Sequence, residues 1–298
     1  MTPAIRTDNL TKRYRRVAAL DGVKLEVQEG AVYALVGQNG AGKTTAIKIL
    51  MNLISASSGS AQVLGMDSTK IRGQAYTRIG YVSENQEMPE WMRVGAMLTY
   101  LADFYPTWDP ALASALVKQF ELPLDRKIKA LSRGMKMKLA LAGALAFHPS
   151  LIVLDEPFGG LDPLVRDQLI EGLLERASES TIFLSSHDLA EIESFASHVG
   201  YLESGKLRFS EEMSSLSNRF REVEITLETA QALPFPLPDT WLQAKTSAYT
   251  ARFVDSHFDE QKTPADIQRL FGTVKDVQFR PIALRAIFLA MARKGEEL

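Results

Sequence analysis

Residues 37–44 read Gly-Gln-Asn-Gly-Ala-Gly-Lys-Thr, and this octet restricts the fold more than any other stretch of the chain. The spacing G-x-x-x-x-G-K-[ST] belongs to a loop that wraps backbone N–H groups around a phosphate. Gly37, Gly40 and Gly42 supply torsions and a close approach that a Cβ would obstruct. Lys43 is spaced to reach the β- and γ-phosphates of a nucleotide, and Thr44 to ligate Mg2+. Such a loop sits between a strand and a helix. The apolar run 31–36 before it and the helix-like segment 43–51 after it meet that requirement.

The surrounding chain reads as α/β. Strand-like runs at 31–36, 79–82, 151–154 and 181–185 are interspersed with helical patterns at 43–51, 93–105, 110–120 and 132–147. Runs 31–36 and 151–154 are almost continuously apolar, as in central strands of a mostly parallel sheet covered on both faces. Segments 5–9 and 24–29 alternate instead, with Val23, Leu25 and Val27 on one side, and predict a half-exposed antiparallel edge.

With 298 residues the chain exceeds one typical domain of about 100–200 residues. The βα alternation ends near 211–220, and the expected division is 1–216 and 217–298. In the second part, 222–228 and 274–279 alternate strictly, 251–254 reads as another strand and 282–292 as a helix. Pro234, Pro236 and Pro238 resist regular structure. This tail reads as a small α+β domain without a phosphate loop. Its Glu222, Glu224 and Glu228 fall on the presumed solvent face of a strand, so its expected role is contact rather than catalysis.

Composition removes several classes of function. A formal net charge of −2 provides no bulk field to recruit nucleic acid or anionic lipid. The absence of cysteine removes disulfides, thiolate metal sites and thiol catalysis, which fits a cytosolic protein. The first ten residues carry Arg6 and Asp8 and lack the apolar stretch of a secretion signal. The longest uncharged apolar stretch, 139–154, is broken by His148-Pro149 and falls short of the roughly 20 residues of a membrane span. Any membrane role is expected to come through a partner.

A second chemical signal is Leu151-Ile-Val-Leu-Asp155-Glu156, an apolar strand ending in two carboxylates. The carboxyl edge of an α/β sheet is where ligands bind, which places Asp155 at a metal ion and Glu156 at an attacking water. Taken alone, the pair reads equally well as a cap on the next helix.

With both motifs in place, residues 5–209 resemble the nucleotide-binding subunit of ATP-binding cassette (ABC) transporters. The resemblance implies a P-loop NTPase cassette, with a RecA-like core, an antiparallel β edge and a helical subdomain, that binds ATP and Mg2+ and hydrolyses ATP. Asn39, Ala41 and Thr45 then join the glycines, Lys43 and Thr44 around the phosphates, and Tyr14 takes the place of the aromatic that stacks on adenine. Ser132 and Gly134 match the signature that faces the γ-phosphate of an opposing subunit, whereas Arg133 and Met135 depart from it. Arg133, Lys136 and Lys138 set positive charge on the first turns of a helix, against the usual dipole preference. A bound phosphate accounts for that, and for Lys136 and Lys138 a solvated basic face accounts for it equally. Gly159-Gly160-Leu161-Asp162 resembles the loop that communicates between subunits, and His187 the histidine at the γ-phosphate; His148, His198 and His257 receive no catalytic role. Where the family has glutamine after a strand, this chain has Glu84, expected to keep metal contact, with Gln86 as the competing candidate.

The resemblance further implies that two ATPase subunits, identical or paralogous, pair on the cytoplasmic face of a membrane and drive membrane-spanning subunits. A short tail favours an exporter. The alternative is a soluble ABC-type ATPase acting on ribosomes or nucleic acid; neither a second cassette nor a coiled-coil insertion supports it.

Overall fold

Alternation in the first 27 residues produces β1 (Ile5–Tyr14) and β2 (Val17–Val27), an antiparallel pair that buries Ile5, Thr7, Val23, Leu25 and Val27 on one face. The continuous apolar run produces β3 (Val32–Val36), buried at every position, and the phosphate-loop glycines lead into α1 (Lys43–Leu50). Then come β4 (Ser58–Val63), β5 (Met66–Asp67), β6 (Ile79–Ser83), α2 (Val94–Ala102), α3 (Pro110–Gln119), α4 (Arg133–Leu145) and β7 (Leu151–Asp155). The first unit continues through α5 (Pro163–Leu174), β8 (Thr181–Ser186), α6 (Leu189–Ile192), β9 (His198–Glu203) and the start of β10 (Lys206–Glu212). This is a computed structural model, and it describes residues 3–84 and 86–294. The chain forms two units, the first running to Ser210 and the second beginning at Glu211.

The main sheet has the strand order β10-β9-β3-β8-β7-β6, and β9, β3, β8, β7 and β6 run parallel. The expected antiparallel edge is instead a sheet of its own, β2-β1-β4-β5. Its strands alternate and need only one covered face, so they lie across α1 rather than extending the parallel sheet. Ile47, Ile49 and Leu50 of α1 share one core with Ile5, Leu10 and Val23 from that sheet and with Leu35, Leu151 and Val153 from the parallel one.

Helix starts follow local chemistry. Asp109, Ser132 and Asp162 each accept a backbone N–H in the first turn of α3, α4 and α5. Pro110 and Pro163 occupy first helical positions, where no N–H is needed. Helix α2 is shorter than the expected 93–105, because the chain turns after Ala102 and Pro106 disfavours helix at Tyr105.

The second unit contains the end of β10, α7 (Met213–Arg219), β11 (Arg221–Leu227), β12 (Trp241–Ser247), β13 (Thr250–Asp255), α8 (Lys262–Phe271), β14 (Val274–Pro281) and α9 (Leu284–Lys294). Its antiparallel sheet is ordered β12-β13-β11-β14. Val223, Ile225 and Leu227 pack with Trp241, Phe253, Ile267 and Phe271. Glu224 accepts from Arg252 at 2.7 Å. Strand β12 lacks a clean alternation because it is bulged between Leu242 and Lys245, with Gln243 at φ 51°. Helix α8 carries Pro264, tolerated in a first turn although it reads as a breaker in the sequence.

The parallel register aligns Val36 with Ser186, Asp155 with Ser185 and Ser83 with Asp155. Four strand ends therefore deliver their loops to one edge. Gly200 of β9 shows how closely these strands pack, because a Cβ there would lie 2.1 Å from the Tyr33 hydroxyl. That hydroxyl is buried, 2.7 Å from Ser210 Oγ, and burial pushes its pKa well above the ordinary tyrosine value. Gly200→Ala is expected to lose about 1–3 kcal/mol of stability. Tyr33→Phe introduced into that variant should recover part of the loss, as urea unfolding of the four proteins will measure.

Candidate functional site

Lys43 stands at the start of α1, 5% exposed. Its Nζ donates to the carbonyls of Gly37 at 2.6 Å and Gln38 at 3.2 Å, and lies 3.0 Å from Glu156 Oε1. The loop can curl this tightly only because Gly37 and Gly42 carry no side chain. A Cβ on Gly37 would lie 2.2 Å from the Leu202 carbonyl oxygen. Gly42, at φ 111°, would meet the Ala19 carbonyl oxygen at 2.3 Å. Thr44 Oγ1 donates to Asp155 Oδ1 at 3.0 Å. Ala41 is buried, Thr45 half-buried, and Asn39 exposed at the loop's tip.

Asp155 closes β7 with 4% of its surface exposed. Burial holds its carboxyl above the ordinary aspartate range, against the lowering pull of the Ser185 and Thr44 hydroxyls. Glu156 follows at φ 50°, a left-handed conformation that few residues with a Cβ adopt. Its side chain is 11% exposed, with Oε1 on Lys43 and Oε2 2.7 Å from His187 Nδ1. The expected Lys43, Thr44, Asp155, Glu156 and His187 thus come together at one edge of the sheet.

Ser185 completes this group without a sequence signal. Its hydroxyl donates to Asp155 Oδ1 at 2.7 Å and accepts the Glu156 N–H at 2.9 Å, so one side chain holds the Asp155 carboxylate and the Glu156 backbone. Behind it, the Ser186 hydroxyl lies 3.0 Å from Glu191 Oε2, and Arg166 lies 3.5 Å from Glu191 Oε1. Burial raises the Glu191 carboxyl.

The other expected residues lie on separate elements. Tyr14 ends β1, 48% exposed, with Lys12 Nζ 5.0 Å from its ring centre. Ser132 caps α4, accepting from Met135 N at 3.2 Å, and Gly134 packs toward Val165. Lys138 is buried rather than part of a solvated basic face, while Lys136 pairs with Glu90 at 3.0 Å. Asp162 caps α5. Glu84, expected at the metal with Thr44 and Asp155, accepts at Oε1 from the Arg133 guanidinium at 2.8 Å. Gln86 accepts the Ser83 N–H at 3.4 Å.

The chain is similar to known proteins over most of its length. The ABC transporter family matches residues 20–159. A bacitracin transport ATP-binding protein of Bacillus licheniformis is 34% identical over 211 residues, spanning 70% of this chain and 69% of its own length. A daunorubicin resistance ATP-binding protein of Streptomyces coeruleorubidus is 31% identical over 239 residues, 78% of this chain and 74% of its own length. Among solved structures, an ATP binding subunit of an ABC transporter superposes with a TM-score of 0.66 at 27% identity, covering 72% of this chain and 92% of its own.

Ser185→Ala removes one donor from Asp155 and one acceptor from the Glu156 N–H. It is expected to cost about 1–3 kcal/mol of stability, the range for leaving buried polar groups unpaired. ATP turnover should fall with it while the parallel sheet persists. Thermal unfolding and a steady-state ATPase assay of the variant check both effects.

Proposed function

The chain belongs to the family of ABC transporter ATP-binding subunits, which hydrolyse ATP to power transport, and we propose that this one drives export of a drug-like or peptide antibiotic. The convergence of Lys43, Asp155, Glu156 and His187 at one sheet edge carries the hydrolytic part of this reading. The relatives concerned with bacitracin transport and daunorubicin resistance support export. They also weigh against a ribosomal or nucleic-acid role.

In this reading the loop amides and Lys43 fix the phosphate charge, Tyr14 stacks on adenine, and Glu156 takes the proton of the attacking water. His187 holds the Glu156 carboxylate through Nδ1 and presents its other ring nitrogen to the phosphate. A buried carboxylate beside a hydroxyl fits Mg2+, which needs few protein ligands because it keeps waters and takes phosphate oxygens. Thr44 and Asp155 would hold the ion, which would neutralise charge on the phosphate oxygens. No cluster of three or more His, Cys, Asp or Glu competes for it among the described residues.

Ser132 and Gly134 open α4, whose N-terminal amides suit an anion. We assign that anion to the nucleotide of a second ATPase subunit, identical or paralogous, so that hydrolysis is the property of a pair. Among the described residues no helix is long and apolar enough to cross a membrane. Membrane-spanning partner subunits therefore supply the path, with this chain on the cytoplasmic face, and the second unit serves as a contact module.

Lys43→Ala should lower turnover by about 100- to 1,000-fold, the effect of removing one preorganised charge-stabilising group. Glu156→Gln keeps shape and loses the base, so turnover should drop by at least about 100-fold while ATP still binds and holds the subunits paired. Calorimetric ATP titration, size-exclusion chromatography with ATP and a phosphate-release assay read these outcomes. Near-normal turnover in Glu156→Gln would overturn the assignment of the base.

A further inference from the structure

Two residues that depart from the family pattern, Glu84 and Arg133, meet in the fold although 49 positions separate them. Arg133 Nη2 donates to Glu84 Oε1 at 2.8 Å. The guanidinium also lies against the glycine turn after β7. A Cβ on Gly160 would lie 3.0 Å from Arg133 Nη1, and one on Gly159 would lie 3.8 Å from Nη2 and 3.9 Å from Glu84 Oε1. Gly160 adopts φ 68°, and the paired glycines leave the room that the guanidinium fills.

This turn carries Glu156. The Gly159 N–H reaches back to the Glu156 carbonyl at 3.4 Å, the Glu156 N–H is held by Ser185, and Phe158 is buried between them in sequence. Glu156 itself is left-handed, a conformation that persists only when its surroundings hold it. Arg133 lies against the turn at Gly159 and Gly160, and Glu84 holds Arg133. Alone, an arginine in the first turn of α4 opposes the helix dipole, and Glu84 offsets that charge.

We propose that Glu84 and Arg133 are positioning residues that act as one unit on the Glu156-bearing turn, setting the rate of hydrolysis without touching nucleotide. An ion pair whose side chains are 40% and 50% exposed adds little to folding stability, so its effect is read in turnover. The inference rests on the hydrolytic reading above.

The test is a double-mutant cycle on the full chain, with kcat and KM for MgATP measured for Glu84→Ala, Arg133→Ala and the double variant. Each single change is expected to lower kcat about three- to tenfold with KM within about twofold of the parent, and the double to be no slower than the slower single. Glu84→Gln, which keeps an acceptor oxygen, should retain more than about half of the activity. Should Arg133→Ala fail to bind ATP, Arg133→Lys, which keeps the charge but not the fork, replaces it in the cycle with the same expectation. Losses that multiply in the double variant, or singles indistinguishable from the parent, would overturn the pair. A fall confined to KM would also overturn it. Glu156→Gln measured alongside separates the two readings: if it stalls hydrolysis while the cycle is additive, only the positioning role fails, and if it does not stall, the hydrolytic reading fails first.

Discussion

Parallel pairing of β3, β8 and β7 is the constraint on which the rest depends. These strands are buried throughout, and their register brings Val36, Ser186 and Ser185 with Asp155 to one edge. Each strand then contributes one part that phosphate chemistry requires: a glycine loop with Lys43, a carboxylate pair, and a histidine. None of the loops is long, so their tips cannot drift far from the ends that hold them. A preorganised site needs such rigidity, because a fixed charge stabilises developing charge only if it need not be moved into place.

Around this edge the hydrogen bonds run in a chain rather than in isolated pairs. Thr44 and Ser185 share Asp155, Ser185 reaches the Glu156 backbone, and Glu156 spans Lys43 and His187. Buried polar networks of this kind specify one arrangement strongly, because each unsatisfied member costs its own desolvation. The second unit has a different economy. Its sheet covers one side with Ile267 and Phe271 and leaves Glu224 to Arg252 and Arg280 on another.

Much of the cassette was legible in sequence because its determinants are local. The glycine loop and the apolar strand before Asp155 are each contained within a few residues. The separate antiparallel sheet was less legible, since alternation reports one buried face and not the partner that covers it. Strand β12 was hidden by its bulge and α8 by Pro264. Ser185 gave no local sign of its two bonds, because a hydroxyl at a strand end means something only when the neighbouring strand is known. Glu84 and Arg133 show the same limit. Each was visible as a departure, but their meeting is a fact of tertiary structure.

In the proposed reading the α4 N-terminus serves the nucleotide of a second subunit, so that hydrolysis belongs to a pair. The most direct test is the ATPase activity per chain across a dilution series, with association followed by sedimentation velocity in the same MgATP buffer. The account predicts activity per chain that rises with concentration and levels off as the pair forms. Constant activity down to concentrations where the chain sediments as a monomer would contradict it.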